Sequence, residues 1–378
     1  MVKRFEPVWQ VLDAQVAAGR MPGYVAAVRA GGDEEIRAGG RLAVEADSAL
    51  MGDDTLFRIA SVTKPMGGAL TLGLVHDGIM ALSDPVTRWL PEAEHPRVLV
   101  TPDARVDRTT EAQRPVTVRH LLTCTSGWGI GLVDTPLRTA MTERDVHPGP
   151  LPTPMSGDEY VARVTDLPLA FQPGGGWLYD TSINLLGVLL ARATGKSLSE
   201  LFTERITGPL GLDSTGFGTP HVDRMAAAYM PVPGGLELLD PPDGVYAAPP
   251  AFEELSGGLV STATDVFRFY CAMADGGAPV LTRESIALMT ADALTDRQRA
   301  QALPFVGAGG SFGLATGVDL EAAEPWMAPG RWGWTGGTGT TAYVDPARGV
   351  VSVLMTQRGM TGPQDSFDEF WTAVATTA

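Results

Sequence analysis

The chain has 378 residues, 44% apolar and 19% charged, a globular composition with length for two or three domains. Its formal net charge of −16 argues against nucleic acid, whose phosphates need a basic surface, and against anionic membranes. No stretch approaches the roughly 18 apolar residues of a spanning helix.

In chain order, Met1-Val2-Lys3-Arg4-Phe5-Glu6-Pro7 carries two basic residues but no apolar region after them, so no secretory signal is visible and a cytoplasmic protein is expected. Val8, Leu12 and Val16 recur at helical spacing, predicting a helix to Ala18. Tyr24 to Val28 reads as a strand. Met66 to Met80 reads as an apolar helix ending near Gly78, a residue that favours helix C-termini. The stretch from Thr87 to Leu167 is richer in Pro, Asp and Arg and poor in strand-like runs. Leu185 to Ala193 is a buried type of helix, Gly333 to Pro346 a glycine-interrupted strand, Val350 to Met355 a core strand, and Ser366 to Val374 a closing helix. Strands thus gather at both ends of the chain. We expect a discontinuous α/β domain from residues 1–86 and 250–378, a mainly helical domain from 87–249, and the active site between them.

Chemistry concentrates at Ser61-Val62-Thr63-Lys64. Positions i and i+3 share a helix face, so the serine hydroxyl and lysine ammonium can touch. A serine needs a base to become a nucleophile, and a buried lysine can act as that base or hold a second base as an anion. The plain alternative is a helix-capping serine beside a solvated lysine. About a hundred residues on, Pro173-Gly174-Gly175-Gly176-Trp177-Leu178-Tyr179 brings a tyrosine out of a glycine-rich turn. Near the end, Trp334-Thr335-Gly336-Gly337 lies in the strand whose glycines signal close approach of a ligand or another backbone. Gly309-Gly310-Ser311-Phe312-Gly313 matches the nucleophile elbow of α/β-hydrolases, but no histidine follows Ser311, so it reads as a loop entering a strand. Five histidines and two cysteines, Cys124 and Cys271, show neither metal-ligand spacing nor a disulfide framework; no metal and no cofactor is expected.

Serine-x-x-lysine, then tyrosine, then x-Thr-Gly is the order of the penicillin-recognising serine enzymes. The chain resembles the class C β-lactamase and DD-peptidase superfamily, and within it the family VIII carboxylesterases. Leu121 to Gly127, Pro209 to Thr215 and Gly257 to Asp265 resemble further segments of that group. The resemblance implies a β-lactamase/transpeptidase-like α/β (α+β) fold, an antiparallel sheet flanked by helices plus an all-helical lobe. It implies Ser61 as nucleophile, Lys64 as its partner and Tyr179 as general base or proton relay. The oxyanion hole would be the backbone N–H groups of Ser61 and Gly337, and Trp334, Thr335, Gly336 and Thr181 would contact substrate.

Two positions depart from the β-lactamases. Tyr179-Asp180-Thr181 lacks the amide of the usual Tyr-x-Asn, and Trp334 stands where a lysine or histidine can pair with a substrate carboxylate. Both favour uncharged esters, with Trp334 as an apolar wall or as plain core packing. Cys124 stands in a histidine position and reads as a small buried residue. The expected activity is a carboxylesterase on small or medium acyl esters, through an acyl-enzyme. Alternatives are a β-lactamase, a D-amino-acid peptidase or amidase, or an acyltransferase on the same site, and, from another class, a non-catalytic binding protein of this fold. The expected partner is a small-molecule ester, with no nucleic acid or membrane; the sequence leaves the oligomeric state open.

Overall fold

The structure, a computed structural model, describes residues 4–363 and 365–377; the first three residues of the N-terminal segment lie outside them. The chain opens with α1 (Glu6–Ala17), the hairpin β1 (Gly23–Ala30) and β2 (Asp33–Gly40), β3 (Leu56–Arg58) and α2 (Thr63–His76). The middle holds the short strands β4 (Arg97–Leu99) and β5 (Thr109–Glu111) and the helices α3 (Val118–Leu122), α4 (Pro136–Glu143), α5 (Gly157–Thr165), α6 (Thr181–Thr194), α7 (Leu198–Phe202) and α8 (Gly208–Leu210). The hairpin β6 (Ala228–Val232) and β7 (Gly235–Asp240) follows, then β8 (Val260–Thr262), α9 (Ala263–Ala274), α10 (Arg283–Met289) and α11 (Asp296–Val306). The last third supplies β9 (Gly310–Phe312), β10 (Gly317–Asp319), β11 (Trp332–Gly336), β12 (Thr340–Asp345), β13 (Val350–Thr356) and α12 (Asp368–Thr377).

Seven strands form one sheet in the order β2-β1-β13-β12-β11-β10-β9, and each neighbouring pair is antiparallel. The two-residue period of the strands sorts side chains to two faces. Tyr24, Ala26, Val28, Val350 and Leu354 pack with Val8, Trp9 and Leu12 of α1 and with Phe370 and Val374 of α12. Val25, Ala27, Val351, Val353 and Met355 face the main core, with Met66, Ala69 and Leu70 of α2 and Val266 and Phe269 of α9. The sheet thus joins both ends of the chain because β1 pairs with β13 from Tyr24↔Thr356 to Ala30↔Val350. Among the described residues no helix is long and apolar enough to cross a membrane.

The glycine-interrupted run read as one strand is two. β11 and β12 pair from Trp332↔Val344 to Gly336↔Thr340, and the chain reverses at Gly337-Thr338-Gly339, with Gly339 at φ +92°. This tight turn is tied to the end of β3: the Thr338 hydroxyl donates to the Arg58 carbonyl, and Thr340 Oγ1 donates to the Ile59 carbonyl at 2.8 Å. Gly336 makes the approach possible, since a Cβ there would sit 2.4 Å from the Ile59 oxygen.

Candidate active site

Ser61 lies in a short 3₁₀ turn, Ala60–Val62, and α2 begins at Thr63. No side chain caps α2, so Ser61 is not a helix-capping serine. Its hydroxyl is partly exposed at a cavity of about 380 Å³. One turn on, Lys64 is fully buried, and its ammonium donates to three acceptors: Ser61 Oγ at 2.8 Å, Asp180 Oδ1 at 2.6 Å and the Ser256 carbonyl at 2.7 Å. Three donors meet three acceptors, which is the full capacity of an ammonium. Burial pulls the Lys64 pKa down, but the charges of Asp180 and Tyr179 and the Asp180 hydrogen bond outweigh it, and the group ends above its ordinary value.

Tyr179 arrives from the glycine-rich turn as expected. The Trp177 N–H donates to Gln301 Oε1 at 2.9 Å and Gln298 Nε2 donates to the Gly174 carbonyl at 3.0 Å, pinning the turn to α11. The Tyr179 and Ile130 backbones exchange hydrogen bonds of 2.8 and 3.0 Å. The ring lies 4.5 Å from Lys64 Nζ and packs on Phe305 and Trp334. Burial pushes the phenol above its ordinary value, while the Lys64 charge and hydrogen bonding to Ser61 and Trp334 pull it back.

Trp334 is only 4% exposed, yet it lines the cavity. Its indole N–H donates to the Tyr179 hydroxyl at 2.6 Å. The expected apolar wall is therefore also a hydrogen-bond donor to the tyrosine, a role its residue type alone did not reveal. Thr335 lines the same cavity. Gly337 is exposed at the cavity, and among the described residues neither its N–H nor that of Ser61 has a backbone acceptor. Gly336 packs against the Ile59 carbonyl and is not part of the wall. Thr181 is also placed differently from the expectation of substrate contact. It is fully buried at the first position of α6, outside the cavity wall.

Asp180 is the residue that sequence reasoning passed over, having read it only as part of a missing amide. Aspartate is a favoured N-cap, but here the side chain makes no cap to α6. It is spent on Lys64 and on the Ser256 hydroxyl, which donates to Oδ2 at 3.2 Å. The backbone is forced to present it: φ is +78° and ψ −71°, and the Thr181 N–H reaches the Tyr179 carbonyl at 3.1 Å. This is a γ-turn of the rare, strained hand. Ala60, just before Ser61, has φ +44°, a second non-glycine residue in a conformation that costs on the order of 1–3 kcal/mol. Such strain concentrates where surrounding structure holds reactive groups in place. The signal for Asp180 was available: a lysine buried next to a serine requires a counter-charge. Cys124 is fully buried as expected, and burial pushes its thiol up to about 12. Ser311 is buried in β9 and donates to Asp292 Oδ1 at 2.5 Å, away from the cavity.

A fold of this architecture with a serine, lysine and tyrosine in mutual contact defines a class of serine enzymes, and the comparisons agree. The beta-lactamase family matches residues 8–376. Esterase EstB of Burkholderia gladioli is 32% identical, over 93% of this chain and 91% of that protein. Monacolin J acid methylbutanoyltransferase of Aspergillus terreus is 27% identical, over 80% of this chain and 77% of that one. The structure of EstCE1, a hydrolase with promiscuous acyltransferase activity, superposes with a TM-score of 0.82 at 23% identity, over 99% of this chain and 98% of that one. The chain belongs to the beta-lactamase family and is a serine hydrolase.

Proposed function

We propose that the protein is a carboxylesterase acting on small or medium acyl esters through an acyl-enzyme at Ser61. One observation carries the reading. The Ser61 hydroxyl, 2.8 Å from a buried ammonium, opens on a cavity that no lysine, arginine or histidine lines among the described residues. Ile130, Leu132, Val146, Leu151, Met230 and Met360 supply much of its wall. A penicillin or a D-alanyl peptide would bring a carboxylate here and find no cation to meet it.

Tyr179 is the proton acceptor in this mechanism. All the Lys64 donors are engaged and its pKa is raised, so it acts as a fixed positive charge rather than as a free base. Ser61 passes its proton to the Tyr179 oxygen as Oγ bonds to the ester carbonyl. Lys64 and the Trp334 N–H stabilise the charge that Tyr179 bears, and Asp180 positions Lys64. The carbonyl oxygen takes up negative charge between the N–H groups of Ser61 and Gly337, the largest electrostatic contribution in acyl transfer. Tyr179 then protonates the leaving alcohol, and a water repeats the sequence to release the acid. An alcohol in place of that water would give acyl transfer by the same steps. The site lies between the sheet-bearing part of the chain and the helices of its middle.

Steady-state kinetics on aryl butyrate and a chromogenic cephalosporin test the proposal. We expect the ester to lead in kcat/KM by at least about 10²-fold, about 2.7 kcal/mol in transition-state binding. Equal efficiency on the two would overturn the esterase reading, and Trp334→Lys should narrow the gap if the missing cation is its main cause.

A further inference from the structure

The mechanism above leaves one part of the cavity wall unused. Glu254 lines the cavity, and its Oε1 accepts the Thr153 N–H at 2.8 Å. Burial pushes its carboxyl above the ordinary range, against the hydrogen bonding of Thr153. Among the described residues the one cation that acts on it is Lys64, which is already paired with Asp180. Two phenols lie close enough to feel its charge, those of Tyr160 and Tyr246, and both line the same cavity. The Tyr160 hydroxyl is buried beside the Asn184 and Thr181 side chains but makes no hydrogen bond of good geometry with either.

A partly buried carboxylate without a counter-ion, beside a buried hydroxyl without a well-formed hydrogen bond, is costly. Both deficits close if the occupant carries a positive charge with an N–H to donate. Tyr160 and Tyr246 stand in the same wall, and aromatic rings attract cations, as Arg58 over the Tyr246 ring at 5.4 Å already illustrates. Among the described residues no lysine, arginine or histidine lines the cavity to pair with an anion instead, and the N–H groups of Ser61 and Gly337 serve the reacting carbonyl.

We propose that this wall is a subsite for a protonated amine carried by the substrate, with the ammonium paired to Glu254 and enclosed by Tyr160 and Tyr246. The inference rests on the esterase reading and narrows it, to esters that carry a basic amine on the alcohol or the acyl part.

The test compares pairs of esters that differ only in whether a dimethylamino group or its isosteric isopropyl group ends the chain. Dimethylaminoethyl butyrate is set against isopentyl butyrate, and ethyl dimethylaminobutyrate against ethyl methylhexanoate. Affinities are measured by calorimetry on the Ser61→Ala protein, so that no hydrolysis is needed. We expect the amine of at least one pair to bind at least about 10-fold more tightly, near the lower end of what a hydrogen bond to a charged group provides. Glu254→Gln should bring the ratio to within about threefold, and Tyr160→Phe, which removes only the hydroxyl, should reduce it. No preference in either pair, or a preference that survives both substitutions, would overturn the subsite. Turnover by the protein with Ser61 intact is scored separately. An amine preference in binding without hydrolysis of any of the esters defeats the esterase reading alone; hydrolysis without preference defeats the subsite alone.

Discussion

Replacing Trp334 by phenylalanine isolates the indole N–H that donates to Tyr179 at 2.6 Å. The ring packing on Tyr179 and Phe312 is largely kept, and the donor is lost. A hydrogen bond to a charged oxygen contributes about 1.5–3 kcal/mol. Removing it from the phenolate form raises the Tyr179 pKa by about 1–2 units at 1.36 kcal/mol per unit. The sign follows from which form the donor stabilises: losing it disfavours the anion, so the rising limb of kcat/KM moves to higher pH. In the native protein burial already holds the phenol above its ordinary value, so kcat/KM should climb with pH through the neutral range. At neutral pH the variant has about 10- to 150-fold less phenolate, but a more basic phenolate takes the proton more readily and recovers about half of that on a logarithmic scale. The net loss in kcat/KM is then about 3- to 12-fold, with the titration belonging to the coupled Tyr179–Lys64 unit rather than to either residue alone. The assay is a pH–rate profile on aryl butyrate for both proteins. Profiles carried to a pH high enough to reach the native inflection decide the matter: an inflection that stays in place in the variant would refute Tyr179 as the proton acceptor tuned by Trp334.

Ser61→Ala should abolish ester hydrolysis and labelling by a serine-reactive phosphonate, read by intact mass, while circular dichroism stays native. Ser311→Ala, in β9 and away from the cavity, should keep substantial turnover, and the reverse pattern would move the nucleophile. Tyr179→Phe and Lys64→Ala should each lower kcat by roughly 10²-fold or more, and the double variant should lose much less than the product, as members of one proton-transfer unit do; a full product would separate them. Asp180→Asn leaves the Lys64 ammonium buried without its counter-charge, a loss of about 3–5 kcal/mol when one partner of a buried pair is removed, read as a fall in Tm. In the native protein the Lys64 pKa is raised above its unfolded value, so its stabilisation is present at neutral pH and fades only as pH passes that raised value. In the variant burial, the largest influence on the group, is opposed only by Tyr179 and Cys124; we expect the pKa to fall below the unfolded value, so the Tm deficit should shrink as pH rises. A deficit independent of pH would count against the ion pair as its cause.

What was legible in the sequence was what short spacing encodes. Ser61 and Lys64 meet because three residues separate them on one turn, and β1 and β13 were visible because alternate residues of each serve two buried faces. The glycine-rich turn before Tyr179 and the capping and turn signals of the helices are local in the same sense. The tertiary structure alone decided which distant groups complete the site. Asp180 is 116 residues from the lysine it neutralises, and Trp334 is 155 residues from the tyrosine to which it donates. Residue type was a poor guide at both positions: the segment around Asp180 draws notice only for the amide it lacks, and the tryptophan reads as an apolar wall. The run from Gly333 to Pro346 reads as one strand because its glycines suggest points of close approach rather than a turn; in the structure its two halves pair with each other, and the hydrogen bonds of Thr338 and Thr340 to the Arg58 and Ile59 carbonyls tie the turn between them in place. Glu254 carried no signal at all, because a carboxylate becomes informative only when the fold has buried it without a cation. Periodicity and spacing report the few residues on either side of a position; charge pairing, burial and a shared cavity depend on where the sheet and helices bring the remote parts of the chain.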